Sequence, residues 1–205
     1  MAVEFSTEAA SLALLEDGEV RAAAAVDAGG RRSQGIFAAA EGMLGEAGWE
    51  FGDIEAYAVG RGPGAYTGLR VGLTAARGWA LPRNRPTWAT SSAAARAAEV
   101  FAARKELERF VAWGPSRKGT IWAGLYVRDG AIPRREGDWA LMPVGERGTI
   151  WAEAAWDEPG MAPKAEWVGR LHHLGAAGEE MRPIYLHPAV AAAPRYDAAG
   201  RAIGD

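Results

Sequence analysis

An Asp-Gly pair set between two apolar runs occurs twice in this chain, and each time a further short apolar run precedes it. Ser11 to Leu15 and Val20 to Val26 flank Glu16-Asp17-Gly18-Glu19, and Thr120 to Val127 and Ile132 to Met142 flank Arg128-Asp129-Gly130-Ala131. Asp-Gly suits a two-residue hairpin turn, whose central positions favour residues that tolerate positive φ. With Ala2 to Phe5 ahead of the first pair and Phe110 to Trp113 ahead of the second, the pattern predicts one unit, strand, turn, strand, Asp-Gly turn, strand, used twice. Two related α/β halves follow, residues 1–86 and 87–205. They divide at Leu81-Pro82-Arg83-Asn84-Arg85-Pro86, where the prolines break any helix.

Helical periodicity fills part of the remainder. Over Ser33 to Gly48, Ile36, Phe37, Ala40, Met43, Leu44 and Ala47 recur at three- and four-residue steps. A strand is predicted at 56–60, a helix at 67–81, and an alanine-rich helix over Ser91 to Lys105 with Ser91 or Ser92 as N-cap. Past residue 143 the pattern weakens. It predicts a short helix near 145–155, a strand at 165–168, an extended Ile184-Tyr185-Leu186 and a loose tail over the last 15 residues.

Composition matters here for what it excludes. The net charge of −3 over 205 residues gives no concentrated basic face for independent nucleic-acid binding. Arg31-Arg32, Arg83/Arg85 and Arg134-Arg135 read as solvated surface. No apolar run reaches the roughly 20 residues of a membrane span, and MAVEFSTEAAS lacks a basic segment followed by an apolar one, so no export signal is expected. The absence of cysteine removes disulfides and thiolate metal sites and fits a cytoplasmic chain.

Residues 60–72, GRGPGAYTGLRVG, follow a predicted strand and open a predicted helix, the setting of phosphate-binding loops. A Walker-type loop requires a lysine followed by Ser or Thr, and Gly64-Ala65-Tyr66-Thr67-Gly68 has none. The dinucleotide fingerprint requires an acid about 20 residues on, and 69–98 contain no Asp or Glu. Gly60, Arg61, Gly62, Pro63, Gly64 and Thr67 therefore read as a tight strand-to-helix turn. Beyond it Gly68, Gly72 and Ala76 leave one helical face nearly bare, and Gly35/Ala39 and Ala38/Gly42 repeat the habit in the preceding helix. Such faces allow close backbone approach. Spacing alone leaves two occupants open, a partner's helices or this chain's own sheet.

Gly60 to Gly72 closely resembles the signature of the TsaB family, bacterial partner proteins in the synthesis of N6-threonylcarbamoyladenosine at position 37 of tRNA. Ser6 to Leu14, Arg117-x-Gly119-x-Ile121-Trp122 and Pro183-Ile184-Tyr185-Leu186 resemble further parts of the family pattern. The resemblance implies an actin/Hsp70/sugar-kinase-like (RNase H-like) α/β fold of two duplicated halves with mixed sheets. It also implies a non-catalytic subunit that stabilises a TsaD-type transferase. A TsaE-type ATPase would share the assembly, tRNA would be contacted only through the complex, and the subunit alone would pair as a homodimer. The surface it implies lies on the two small-faced helices, at Ile36, Ala39, Met43, Gly68, Leu69, Gly72, Leu73 and Ala76. On this reading Gly72→Leu abolishes partner binding and leaves the monomer folded.

This chain departs from the family pattern around a nucleotide. Glu4, followed by bulky Phe5, stands where the family has Asp, Pro115 replaces the second-half Asp, Arg32-Ser33 replaces His-Ser/Thr, His187 replaces Arg, and the stretch from Gly175 to Pro183 is shortened. Glu4, Ser6, Thr7 and Arg117 are the candidates for a degenerate phosphate turn. The alternative function is a small ATP-binding phosphotransferase or hydrolase that uses Glu4, Thr7 and Arg117. No cofactor is expected on the main reading, with ATP only a remote ligand here or one bound at the partner. No metal is expected, because His172-His173 are adjacent rather than four residues apart. A peptidase would need a nucleophile such as Ser6 or Thr7 with a base, and no Gly-x-Ser-x-Gly elbow is present. The tryptophans of the second half are expected mainly in its core.

Overall fold

A computed structural model describes residues 1–26, 32–176 and 178–187, with 32–34, 195–196 and 202–203 described for the main chain alone. The first unit forms as its sequence predicts: β1 (Ala2–Glu4), β2 (Ser11–Glu16) and β3 (Glu19–Ala25) are antiparallel neighbours. Asp17 and Gly18 take φ of 53° and 82°, which suits a right-twisted two-residue hairpin. α1 (Arg32–Ala47) leads to β4 (Tyr57–Gly60), and α2 (Tyr66–Ala80) to β5 (Thr87–Thr90). Both strands run parallel to β1, giving a mixed sheet of order β3-β2-β1-β4-β5.

Strand alternation gives this sheet two different faces. Val3, Leu12, Leu14, Tyr57 and Val59 point to the side that α1 and α2 cover. Ala2, Ala13 and Ala58 point to the other, where α3 (Ser92–Ala103) and α4 (Ala165–His173) supply Ala95, Ala98, Ala165 and Val168. Small residues on both sides let α4 lie close: a Cβ at Gly169 would sit 2.4 Å from Leu15 Cδ1.

The second half repeats the topology in reduced form. β6 (Arg109–Pro115), β7 (Thr120–Val127) and β8 (Arg134–Pro143) form the antiparallel meander, and β9 (Ala155–Trp156) pairs parallel to β6. The resulting order β8-β7-β6-β9 matches the first sheet without its fifth strand. α3 packs on one face, with Phe101, Phe110, Trp122 and Tyr126. On the other face, partly buried Trp113, Trp151 and Trp156 pack where the first half has helices.

Four sequence expectations need correction. The divide at 86 falls too early, because Thr87–Thr90 pairs with β4 and completes the first sheet. The second Asp-Gly pair does not make a two-residue turn. Pro133 cannot donate to the ladder, so β8 begins at Arg134, and Arg128 is tied instead to the carbonyls of Phe101, Arg104 and Leu107. The helix expected near 145–155 is only a 3-10 turn at Val144–Glu146, broken by Gly148 and Trp151, both at positive φ. The strand expected at 165–168 is the start of α4, whose buried Ala165, Val168 and Leu171 recur every three residues. Ile184, in the stretch expected to be extended, lies outside any named strand and donates its N–H to Arg61 O at 2.8 Å. The expected loose tail lies mostly outside the described residues; within it Arg195–Tyr196 (β10) pairs with Ala202–Ile203 (β11).

The halves are tied through α3. Arg96 donates from Nε and Nη2 to the two Asp157 oxygens, both at 2.8 Å, and from Nη1 to Glu99 at 2.6 Å. Asp157 follows β9, and both its side chain and that of Arg96 are buried. Removing one partner strands the other charge in the interior, so Asp157→Ala is expected to cost about 3–5 kcal/mol. Urea unfolding at neutral pH checks it.

Candidate functional site

β1 and β4 run side by side and both end at one edge of the first sheet, which brings the β1–β2 turn against the loop at 60–65. Glu4 is fully buried there, and Ser6 N–H donates to its Oε1 at 2.6 Å. Each glycine of the loop has a steric reason. A Cβ on Gly60 would lie 1.9 Å from Glu4 Oε2, and one on Gly64 would lie 2.1 Å from Ser6 O. Gly62 adopts φ of 96° and precedes a cis peptide to Pro63. Its carbonyl accepts from Ser92 N–H at 2.9 Å and Ser91 Oγ at 3.2 Å, while its own N–H donates to Ser92 Oγ. Ala65 N–H then donates to Ser6 O at 2.7 Å, locking loop onto turn, and Thr67 lies exposed in the first turn of α2.

Burial pushes the Glu4 carboxyl above its ordinary range, against the hydrogen bond from Ser6 N–H that favours the ion. A folded pKa raised above the unfolded one gives stability that is present below the unfolded value and lost as pH rises through the folded value. Glu4→Gln keeps an acceptor for Ser6 N–H and removes that loss. It is expected to leave stability unchanged below pH 4.5, the carboxyl's reference value, and to raise it relative to the parent at neutral pH. Denaturant midpoints measured across that range check the sign.

The bare face of α2 points inward. A Cβ at Gly68 would lie 2.1 Å from Phe5 O, and one at Gly72 would lie 3.2 Å from Phe5 Cβ and 3.4 Å from Val3 Cγ1. Ile36, Met43, Leu73 and Ala76 are buried against the same sheet, Leu69 is buried beside Gly62, and Ala39 is half-buried. The expectation that these side chains form the partner surface is therefore corrected: their near neighbour is the chain's own sheet, and bulk at Gly72 would strike the core. The outer faces carry a different small-residue set. Phe37, Ala38, Glu41, Gly42 and Gly45 on α1 are exposed, as are Thr74 and Gly78 on α2. Among the described residues nothing lies within 4 Å of a Cβ built on Gly42, Gly45 or Gly78. Phe37 meets Trp79 edge-on at 5.9 Å, joining the two helices.

Three comparisons with known proteins agree on kinship. The family model described as TsaD, tRNA N6-adenosine threonylcarbamoyltransferase, matches residues 28–113. The tRNA threonylcarbamoyladenosine biosynthesis protein TsaB of Escherichia coli is 33% identical over 129 residues, 63% of this chain and 55% of that protein. The TsaB of Haemophilus influenzae is 32% identical over the same length, 54% of its own. The chain thus spans about half the length of the curated relatives it matches. The solved structure of YeaZ from Pseudomonas aeruginosa superposes with a TM-score of 0.76 at 27% identity, covering 90% of this chain and 98% of that one.

The chain is TsaB-like.

A nucleotide finds little in the β1–β2 turn of this chain. The Ser6 N–H that could cradle a phosphate is taken by Glu4, and the Gly64 main chain lies on Ser6 O. Glu4 Oε2, Ser6 Oγ and Thr7 Oγ1 are buried without partners, but Gly60 seals the carboxylate oxygen. Pro115 ends β6 with no side-chain donor or ligand. Arg117 is exposed in the β6–β7 turn, and no hydrogen bond or ion pair among the described residues joins it to Glu4, Ser6 or Thr7. These residues do not fit a phosphate with its metal. Among the described residues, no group of three His, Cys, Asp or Glu could hold a metal ion, and no helix is long and apolar enough to cross a membrane. The Arg32 and Ser33 side chains lie outside the described residues, whereas His187 Nε2 meets Ser116 Oγ at 2.6 Å.

Sequence reading missed residues 178–187 as a unit. They cross the edge of the first sheet as a strap: Glu179 N–H bonds Ala89 O, Arg61 holds the Glu179 carboxylate and Glu180 O, and Arg77 holds Met181 O. Tyr185 stacks on Tyr66 at 5.0 Å, and His187 reaches the second half. The contacts are long-range, several of them to main-chain carbonyls, and no local periodicity announces them, although Pro183 to Leu186 stands out by resemblance.

Proposed function

We propose that this chain is a non-catalytic partner subunit in tRNA N6-threonylcarbamoyladenosine biosynthesis, docking on and stabilising a TsaD-type transferase through the outer face of α1 and α2. The observation that carries the reading is the set of solvent-facing helical glycines, Gly42, Gly45 and Gly78. Each costs about 1 kcal/mol relative to alanine inside a helix, and none is repaid by a close contact within the described protomer. A partner helix approaching that face would supply the missing contact. The names and similarity of the relatives support the pathway and hence the partner. On this account the alternative use of the same face is a homodimer when the partner is absent. A TsaE-type ATPase joins the assembly, tRNA is met only through the complex, the chain carries no cofactor of its own, and the work is done in the cytoplasm.

The test is a reconstituted modification of tRNA with the TsaD-type transferase and its other components, with and without this chain. The chain alone is expected to give no product, and its addition is expected to raise the transferase's yield at least about tenfold, roughly 1.4 kcal/mol of stabilisation. Full yield without the chain, or product from the chain alone, would contradict the proposal.

A further inference from the structure

A cleft of about 240 Å³ between the two halves is not used by the docking reading. The Tyr126 hydroxyl, 3.2 Å from Ser91 Oγ, forms its polar floor. Trp139 forms one wall, with the Arg135 guanidinium 5.0 Å above its ring. That ring can lie flat on β7 only because position 124 is glycine: a Cβ there would sit 2.5 Å from it, and the β7–β8 ladder shifts register at the same place. Arg61 and the strap residues Glu179 and Ile184 form the facing wall.

The charges of the cleft do not cancel. Arg61 is paired with Glu179 at 3.1 Å. Arg135 has no carboxylate partner among the described residues and donates only to Gly137 O. Arg135 and Glu179 line the cleft together with Tyr126, whose hydroxyl burial pushes above its ordinary range. What remains is one positive charge, exposed at the rim, beside the Tyr126 hydroxyl, with Ala94, Pro133, Ile184 and the indole of Trp139 lining the cleft.

We propose that this cleft binds a small organic monocarboxylate, its carboxylate at Arg135 and the Tyr126 hydroxyl and its flat or apolar body against Trp139 and Ile184. A phosphate monoester carries about 1.5–2 negative charges and would leave part of that charge unmatched. The volume lies below the roughly 300–1,000 Å³ of sites for drug-sized ligands, which favours a small one. The proposal is independent of the docking reading, since none of its residues lies on the outer face of α1 or α2.

The test is calorimetric titration of the full chain with benzoate, its neutral analogue benzamide, and inorganic phosphate. Benzoate is expected to bind at least about tenfold more tightly than either of the others. Arg135→Gln, an exposed position, and Ala94→Met, which fills the cleft from α3, are each expected to weaken benzoate at least about tenfold with an unchanged circular-dichroism spectrum. If Ala94→Met does not fold, Arg135→Gln decides. Failure of benzoate to bind at about 10 mM, far weaker than the affinities of working metabolite sites, overturns the proposal. So does equal binding of benzamide, or full retention of binding in Arg135→Gln. Tighter binding of phosphate overturns the carboxylate class.

Discussion

Gly68→Ala is expected to destabilise the protein by about 3–5 kcal/mol, near the upper end of single-residue effects. The added methyl would lie 2.1 Å from the carbonyl oxygen of Phe5, a main-chain atom fixed by its place at the end of β1. Neither side can yield cheaply, since α2 is seated along the sheet by buried Leu73 and Ala76. The same substitution at Gly42, Gly45 or Gly78 meets open space. There it is expected to gain about 0.5–1 kcal/mol, because alanine is the better helix former. Thermal or urea unfolding of the four variants reads the contrast. Equal effects at inner and outer glycines would mean that the inward face of α2 is misassigned.

The second large effect separates binding from folding. Leucine at Gly42 and Gly45 together would set two side chains between α1 and any helix seated on it. Affinity for the TsaD-type subunit is expected to fall at least about a hundredfold, roughly 2.8 kcal/mol. The isolated double variant is expected to melt no lower than the parent, since both positions are exposed and leucine suits a helix. Gly72→Leu, which spacing alone suggested as the binding variant, is expected instead to lower the melting temperature, because its side chain meets Phe5 and Val3.

That reversal marks where the sequence was legible and where it was not. The small-residue spacing of α2 announced a close approach, and the structure confirms one, but spacing carries no direction. The occupant was fixed by β1, sixty residues away in the chain. The first hairpin was legible because Asp17-Gly18 and the flanking alternation are local. The second Asp-Gly pair misled because the side chain of Arg128 and the ring of Pro133, not the turn, set where β8 begins. α4 was misread because Trp167 and Val168 resemble a strand locally, while its burial follows Ala165, Val168 and Leu171 against a sheet built from the chain's first residues. Glu4 was legible as an unusual acid at a strand end. That Gly60 and Ser6 close over it follows only from the parallel pairing of β1 with β4. The strap and the cleft behind it rest on contacts more than a hundred residues apart, such as Arg61 with Glu180, and no periodicity encodes them.

The most direct measurement is size-exclusion chromatography with light scattering on this chain co-expressed with the TsaD-type transferase of the same genome. The account predicts one peak at the summed mass of the two subunits, which persists on dilution to about micromolar concentration, where a stable specific complex stays associated. Separate peaks at the masses of the individual proteins, with this chain folded and monomeric or self-paired, would contradict it.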